Sequence, residues 1–196
     1  MHDLVAPTDS SKAMHDGTTI DGVRLFRLAP IPDSRGSLTE IFRESWLEAP
    51  PFVQWNVVRS EAGTLRGVHV HLVHHDYLVC LSGEMFVGLR DERTDSRTWG
   101  RSTLLHIDAA NGDPMAITIP PGVLHGMLMA RETVKLYGVT SYWDLDDELG
   151  CHWADPALEI PWPFEPSQVS DRDRSAGGLR ELGDLLRRTQ LGTPRA

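Results

Sequence analysis

Short apolar or alternating runs follow one another from residue 23 to residue 143, and they constrain the fold more than any other feature of the chain. Turn-forming residues separate them at regular intervals, as at Pro32-Asp33-Ser34, Ser82-Gly83 and Pro120-Pro121-Gly122. Regularly spaced short strands with turn signals between them are typical of a sandwich or barrel. Because no strand and helix alternation is present, the pattern disfavours a nucleotide-binding α/β sheet and predicts an all-β fold.

The runs predict ten strands and one late helix. The predicted strands cover residues 23–28, 38–42, 52–58, 64–71, 77–81, 84–90, 103–107, 115–119, 124–129 and 134–142. A stripe of Leu179, Leu182, Leu185 and Leu186 predicts a helix between residues 175 and 188 that packs on the outside of the barrel. We therefore expect a polar, loose tail over 1–19, a barrel domain over 20–173, and a C-terminal helix and tail over 174–196.

Size and charge narrow the function classes. A chain of 196 residues is long enough for one domain with a sizeable core. With 19 Lys and Arg against 28 Asp and Glu, the net charge of −9 disfavours binding to nucleic acid or to an anionic membrane. The chain has no membrane-spanning run and no signal-like start, so we expect a cytoplasmic protein. Its two cysteines make no disulfide framework, and Cys80 is expected to be a buried free thiol.

A histidine-rich cluster is the main candidate site. On a strand, His69 and His71 project from the same face about 7 Å apart, so they can share one site. Asp76 and His125, after Pro120-Pro121-Gly122, are the remaining polar candidates. A buried imidazole in a small barrel can serve as a catalytic base or as a metal ligand, and the residue types alone leave both roles open.

Seven ordered motifs over about residues 23–173 resemble those of the dTDP-4-dehydrorhamnose 3,5-epimerases. The motifs are Asp33-Ser-Arg35-Gly-Ser-Leu-Thr-Glu40, Phe52-Val-Gln54-Trp-Asn56, Leu65-Arg66-Gly-Val-His69, Ser82-Gly-Glu84-Met-Phe86, Ile119-Pro-Pro-Gly122-Val-Leu-His125-Gly126, Leu136-Tyr137-Gly-Val-Thr-Ser-Tyr142 and Asp155-Pro-Ala-Leu-Glu-Ile-Pro-Trp162-Pro163. The resemblance implies a cupin-type jelly-roll barrel, usually dimeric, that acts without a cofactor on a dTDP 4-keto sugar. It implies that His69 is the base, that Asp173 holds it, and that Tyr137 is the acid.

The resemblance also implies a set of substrate-binding residues. Two arginines would meet the diphosphate, and the polar residues would contact hydroxyls, the nucleobase or the sugar. The predicted substrate-binding residues are Arg35, Glu40, Gln54, Asn56, Arg66, His71 and His125. The chemistry fits these residue types, since an imidazole can take the proton beside a ketone and a group on the other face can return it.

Several assignments have structural alternatives. Taken without the resemblance, Tyr137 reads as a core residue with a bonded hydroxyl. Asp173 could cap the helix that is predicted to begin near Ser175. Arg35 and Arg66 could be salt-bridge partners within the fold. The other four histidines of the barrel and its C-terminal segment are interpreted as surface or packing residues, namely His74, His75, His106 and His152.

The chain also departs from the family pattern. His71 stands where the family usually has Gln, Asp76 lies near the position of an expected Lys, Val87 replaces an Asp and Leu38 replaces a Phe. The changes complete the general cupin metal pattern, in which His69, His71, Asp76 and His125 would hold Fe, Mn, Ni or Zn. Cupins usually have Glu where this chain has Asp76, and the shorter side chain reaches less far.

Three functions therefore compete. The leading hypothesis is a homodimeric, cofactor-free epimerase or related isomerase of a dTDP-4-keto-6-deoxy sugar. The second is a metal-dependent cupin oxygenase or isomerase, and the third is a noncatalytic protein that binds a sugar nucleotide or another small ligand. His69 cannot be both a metal ligand and a free base. Because Tyr137 and Asp173 are retained, we expect no stoichiometric metal, with His71 bonding substrate or a neighbouring carboxylate instead.

Overall fold

Thirteen strands and two α-helices are present among residues 20–109, 114–144 and 147–192, the part of the chain that a computed structural model describes. The strands are β1 Arg24–Arg27, β2 Ile31–Asp33, β3 Gly36–Leu38, β4 Gln54–Ser60, β5 Thr64–Val70, β6 Asp76–Ser82, β7 Glu84–Asp91, β8 Ser102–Asp108, β9 Met115–Ile119, β10 Val123–Met129, β11 Thr133–Val139, β12 Leu149–Gly150 and β13 Gln168–Val169. The helices are α1 Asp171–Arg174 and α2 Leu179–Gly192. The predicted tail over 1–19 lies outside the described residues.

The strands form two main sheets and one small hairpin. One sheet has the order β1-β9-β6-β11-β4, and the other has the order β12-β5-β10-β7-β8, with β13 added parallel to β5. Apolar side chains from the two sheets pack together in one cluster, among them Leu78 and Ile117 from the first and Val87 and Leu89 from the second. The hairpin of β2 and β3 is exposed throughout. The predicted all-β fold is confirmed.

Nine of the ten predicted strands overlap an observed strand along most of their length, and the run over 38–42 does not. Only Leu38 of that run lies in β3, and the chain is irregular beyond it. The apolar residues serve another purpose there: the ring of Phe42 packs against those of Phe52, Trp55 and Tyr77. The run is therefore apolar because it covers one face of a sheet, and the strand prediction is wrong.

The late helix forms as predicted and packs on the outside of the barrel. Leu179, Leu182 and Leu186 of α2 are buried with Val68 and other apolar residues of the second sheet and the C-terminal loops. Leu185 is 44% exposed, because its position falls outside the buried i, i+3, i+7 stripe. The helix begins at residue 179 and not near residue 175. At this first residue, the backbone N–H of Leu179 donates to Asp155 Oδ2 at 2.7 Å.

Two further sequence expectations are tested by the described residues. Cys80 and Cys151 are both fully buried free thiols, as predicted for Cys80. None of the described helices combines the length and the apolar character needed to cross a membrane.

Candidate active site

A cavity of about 510 Å³ lies between the two sheets, and it brings together most of the residues singled out from the sequence. β5 and β10 form one wall, β6 and β11 form the other, and the segment 168–173 closes one side. The predicted residues that line the cavity are Arg66, His69, His71, Asp76, His125, Tyr137 and Asp173. Residues that are far apart in the sequence therefore line one cavity, and their roles stay predictions.

His69 and Asp173 form a close polar pair in the cavity. His69 Nε2 lies 2.7 Å from Asp173 Oδ1, and the backbone N–H of Gly67 donates to Asp173 Oδ2 at 3.3 Å. Gly67 has a φ of +116°, and a Cβ at this position would lie 2.7 Å from Gly126 Cα and from the His125 carbonyl oxygen. The Arg-Gly-Val-His motif thus needs its glycine, because the backbones of β5 and β10 approach closely where the carboxylate is held.

Asp173 lies inside the short helix α1 and does not cap a helix. Ser170 is the N-cap of α1, where its hydroxyl accepts a hydrogen bond from the Asp173 backbone N–H at 3.1 Å. The side chain of Asp173 is 6% exposed, and its hydrogen bonds from His69 and Gly67 outweigh burial and lower its pKa to about 2. The carboxylate is thus ionised and accepts the proton of His69 Nε2, which leaves the lone pair of the ring on Nδ1.

Arg172 and Glu148 also contact His69, and the sequence analysis did not single out either residue. Arg172 Nη2 lies 2.7 Å from His69 Nε2 and donates to Glu148 Oε2 at 2.9 Å. Glu148 Oε2 in turn lies 3.7 Å from His69 Nδ1. His69 is therefore placed between two carboxylates, and Arg172 competes with Asp173 for the same ring nitrogen.

Tyr137 enters the cavity from the opposite sheet. It lies in β11, next to Asn56 of β4 and Leu78 of β6. The side chain is half-buried and lines the cavity, so it is more than an enclosed core residue. Burial, together with the charges of Glu148 and Asp76, raises the pKa of Tyr137, so the hydroxyl keeps its proton at neutral pH.

Arg66 lines the cavity together with His71 and His125, and two further predicted substrate-binding residues, Gln54 and Asn56, lie beside it on β4. Arg66 donates to Ser60 Oγ at 2.9 Å, and no carboxylate of the described residues lies within the 4 Å of an ion pair. The salt-bridge alternative for Arg66 is therefore not observed. Gln54 and Asn56 are hydrogen-bonded to each other on β4, and the amide nitrogen of Asn56 is buried without a partner in the described structure. That donor is available for a ligand.

Arg35 and Glu40 lie away from the cavity of their own chain. Arg35 is at the tip of the exposed hairpin of β2 and β3, where it forms an ion pair with Asp33 at 2.7 Å. Glu40 pairs with Arg43 on the surface. The salt-bridge alternative is the one that the structure shows for Arg35, and within one chain neither residue contributes to the cavity.

The predicted four-residue metal set is only partly assembled. His71, Asp76 and His125 place ligand atoms within 4.8 Å of one another, but His69 is turned toward Asp173 and is not in this group. His71 Nδ1 lies 3.2 Å from the Asp147 carbonyl oxygen, and His125 Nδ1 lies 3.2 Å from that of Val123. Both Nε2 atoms face Asp76 Oδ2, at 3.8 and 3.7 Å, beyond hydrogen-bond distance.

Burial dominates the electrostatics of this three-residue group. It lowers the pKa of His71 to about 4 and that of His125 well below its ordinary value, and it raises the pKa of Asp76. Both imidazoles are therefore neutral at pH 7. His71 forms no hydrogen bond with a carboxylate of the described residues, since Asp76 and Glu148 lie 3.8 and 3.9 Å away and its Nδ1 bonds to the Asp147 backbone. The alternative, a bond from His71 to substrate, stays a prediction.

Lys135 is the third functional residue that the sequence analysis missed. It lines the cavity and is 3% exposed. Its signal was present in the sequence, because a charged residue two positions before Tyr137 must share a face of the strand with it. Arg172 could likewise be noticed only as a neighbour of Asp173, and Glu148 lies in a loop with no periodicity to mark it.

The model of one protein family, described as dTDP-4-dehydrorhamnose 3,5-epimerase, matches residues 17–181. The chain belongs to this family. It is 31% identical over 185 residues to the dTDP-4-dehydrorhamnose 3,5-epimerase of Sinorhizobium fredii, a match that covers 89% of this chain and 94% of the relative. It is 30% identical to that of Streptomyces griseus, over 84% of this chain and 86% of the relative. The resemblance seen in the motifs is confirmed.

Solved structures of family members share the fold. A 3'-monoepimerase from Streptomyces bikiniensis, in complex with dTDP-quinovose, has a TM-score of 0.78 and 30% identity over 88% of this chain and 90% of its own. The epimerase of Mycobacterium tuberculosis has a TM-score of 0.77 and 26% identity over 91% and 92% of the two chains. The chain is therefore an epimerase-family enzyme with the predicted jelly-roll fold.

Proposed function

We propose that the protein epimerises a dTDP-4-keto-6-deoxy sugar by taking a proton from the carbon beside the ketone and returning one to the other face. The observation that carries this proposal is the pair of His69 and Asp173 at 2.7 Å in one wall of a cavity that has Tyr137 in the opposite wall. A base and an acid that face each other across a bound sugar are what inversion requires. Relatives crystallised with dTDP-quinovose and with dTDP-4-keto-L-rhamnose support the substrate class.

We assign the proton transfers of this proposal to named atoms. His69 Nδ1 takes the proton, and the imidazolium that forms is stabilised by Asp173 at Nε2. The Tyr137 hydroxyl then delivers a proton to the opposite face of the same carbon. Arg66 and Arg172 are the cavity-lining arginines, and they would meet the diphosphate. Every group in this scheme is a side chain, so the proposed reaction needs no cofactor.

Solvent deuterium exchange tests this function. Wild-type protein incubated in D₂O with a dTDP-4-keto-6-deoxy sugar is expected to place deuterium on the carbon beside the ketone. Inversion at that carbon should be visible by NMR. The stereochemistry of the product, read by NMR, would also count the inverted centres. Tight dTDP binding with no exchange would contradict the proposal and favour a binding protein.

A metal at His71, Asp76 and His125 is a second candidate, because three buried lone-pair donors converge there. The donor set suits Fe, Mn, Ni or Zn, and the ion would supply Lewis-acid chemistry in the same cavity. The buried cation of Lys135 in the same cavity opposes a divalent ion electrostatically. We therefore propose that the catalytic cycle runs without metal.

Elemental analysis of protein purified without chelators distinguishes the two candidates. The cofactor-free proposal expects far less than one equivalent of Fe, Mn, Ni or Zn, and full activity after dialysis against EDTA. One equivalent of metal that is lost from a His71→Gln variant together with activity would establish the metal-dependent enzyme instead.

A further inference from the structure

Lys135 is a buried cation with no assigned role in the proton transfers. Its side chain is 3% exposed and lines the cavity that also contains His69 and Tyr137. Side chains two residues apart on a strand share one face, so Lys135 and Tyr137 enter the cavity side by side, about 7 Å apart along β11. The ammonium group therefore belongs to the site and not to the outer surface of the sheet.

The positive charge of Lys135 lacks an ionic partner. Its Nζ donates to Met127 Sδ at 2.8 Å, and a thioether is a weak acceptor. Asp76 and Arg66 act on it electrostatically, but no carboxylate of the described residues lies within the 4 Å of an ion pair. Burying an ammonium without a counter-charge is costly, which is why burial lowers the pKa of Lys135 to about 7. An anion supplied by the ligand would stabilise the charged form in this position.

The place of Lys135 identifies which anion that is. A diphosphate is permanently charged and strongly hydrated, and the exposed side chains of Arg66 and Arg172 already line the cavity for it. Lys135 is enclosed, where a fixed dipole or charge acts most strongly on charge that develops during a reaction. In the proposed function, the reacting end of the sugar is the part of the substrate that lies beside His69 and Tyr137.

We propose that Lys135 stabilises the negative charge that forms on the substrate's carbonyl oxygen when His69 removes the neighbouring proton. The inference rests on the proposed function. As the C–H bond breaks, its electron pair forms a C=C bond and the carbonyl π pair moves onto oxygen, to which the Lys135 ammonium donates a hydrogen bond. When Tyr137 delivers its proton to carbon, the C=O bond re-forms. Lys135 keeps its proton throughout and forms no covalent bond.

Substitution of Lys135 tests this role. Lys135→Met keeps most of the buried volume and removes the charge, so deuterium exchange and kcat should fall about 10²- to 10³-fold, as when one oxyanion donor is lost. KM and the affinity for dTDP should stay within about threefold, because the nucleotide is held elsewhere. Lys135→Arg keeps a charge and should lose less than Lys135→Met. Arg101→Met, at an exposed position just before β8, is the control and should behave as wild type.

The outcomes separate this inference from the proposed function. If Lys135→Met exchanges deuterium within threefold of the wild-type rate, the role of Lys135 alone is overturned. No exchange in the wild-type protein would overturn the proposed function and this inference together. A melting curve for each variant confirms that it is folded before its rate is interpreted.

The pH profile gives an independent readout. Burial lowers the pKa of Lys135 to about 7, and the charged or titratable groups around it are Arg66 from β5, Asp76 and Cys80 from β6, and His125 from β10. Wild-type kcat/KM should fall above about pH 7 as Lys135 loses its proton, and in Lys135→Arg this fall should move to higher pH. The same alkaline limb in both proteins would contradict the role.

Reductive trapping tests the absence of a covalent bond. The chain has two lysines, Lys12 and Lys135, so an adduct is easily located by mass spectrometry. Incubation with the 4-keto sugar nucleotide and cyanoborohydride should leave Lys135 unmodified. A reduced adduct on Lys135 would show imine formation and overturn the electrostatic role.

Discussion

His69 and Asp173 are separated by 104 positions in the chain, yet their side chains lie 2.7 Å apart. Substituting each residue in turn therefore tests the pair. Replacing His69 with Asn removes the base, and deuterium exchange should fall by several orders of magnitude. Asp173→Asn keeps the shape but removes the charge that fixes the tautomer, and a loss of about 10²- to 10⁴-fold is expected. His106→Asn, at a half-exposed position of β8, is the control. Near wild-type exchange in His69→Asn would exclude the mechanism.

Tyr137 is expected to act after the base, on the other face of the sugar. Tyr137→Phe removes only the hydroxyl, so packing against the core survives while inversion fails. Exchange at the carbon beside the ketone should persist, because His69 still removes and returns protons on its own side. Normal formation of the inverted product by Tyr137→Phe would assign the donor to another residue or to water.

His71 should make the folded state sensitive to mild acid. Its folded pKa, lowered by burial to about 4, lies below the unfolded value of 6.5, so the unfolded chain takes up a proton first as the pH falls. Stability is therefore unaffected above pH 6.5 and is lost between 6.5 and about 4, by at most about 3 kcal/mol. His71→Gln should lose less Tm than wild type over this window in thermal melts. Equal slopes in the two proteins would show that His71 is not the group responsible.

The role of a residue was predictable from the sequence where a motif identifies it. It was not predictable where the role depends only on the fold. His69 and Tyr137 were predicted from their motifs, and Asp173 was predicted from the family resemblance. The spacing of Lys135 from Tyr137 places both on one face of a strand, but the burial of Lys135 beside the cavity cannot be read from one alternating strand. The metal pattern was complete in sequence, but the hydrogen bond to Asp173 turns His69 away from the other three residues.

At the scale of elements, two leucines of α2 provide a matched test of which face of the helix packs against the barrel. Leu182 is buried against the second sheet, and Leu182→Ala should lower the free energy of unfolding by about 2 to 5 kcal/mol because it leaves a cavity. Leu185→Ala, three residues on and 44% exposed, should cost less than about 1 kcal/mol. Urea unfolding measures both. Equal losses would mean that the helix packs through a different face.

The strands were predictable because turn residues and alternation mark them locally, whereas their pairing was not. Order in the two sheets depends on contacts between distant segments, such as β5 with β10, and no single run specifies its partner. The failed strand over 38–42 shows the same limit. An apolar run predicts burial, and the structure shows that burial here comes from covering a sheet and not from joining one.

At the scale of the whole molecule, we propose a homodimer formed through the open edge of the first sheet. β4 is an edge strand, and its outward residues Trp55 and Val57 are exposed by 39% and 65%, with Val53 just before the strand exposed by 46%. The hairpin that carries Arg35 also exposes Ile31 and Leu38. An apolar edge of this kind needs cover, and a second copy of the chain provides it.

Light scattering should give a mass of twice the 21.9 kDa of one chain at micromolar concentration. Val57→Asp places a charge in the middle of the proposed contact and should yield a monomer, since a buried unpaired carboxylate costs several kcal/mol. Val73→Asp, at an apolar position that is 70% exposed and outside β4, should remain dimeric.

If the dimer also brings Arg35 of one chain to the cavity of the other, Arg35→Ala should weaken dTDP binding without changing the mass. A wild-type monomer would refute the dimer and leave Arg35 as a partner of Asp33 alone.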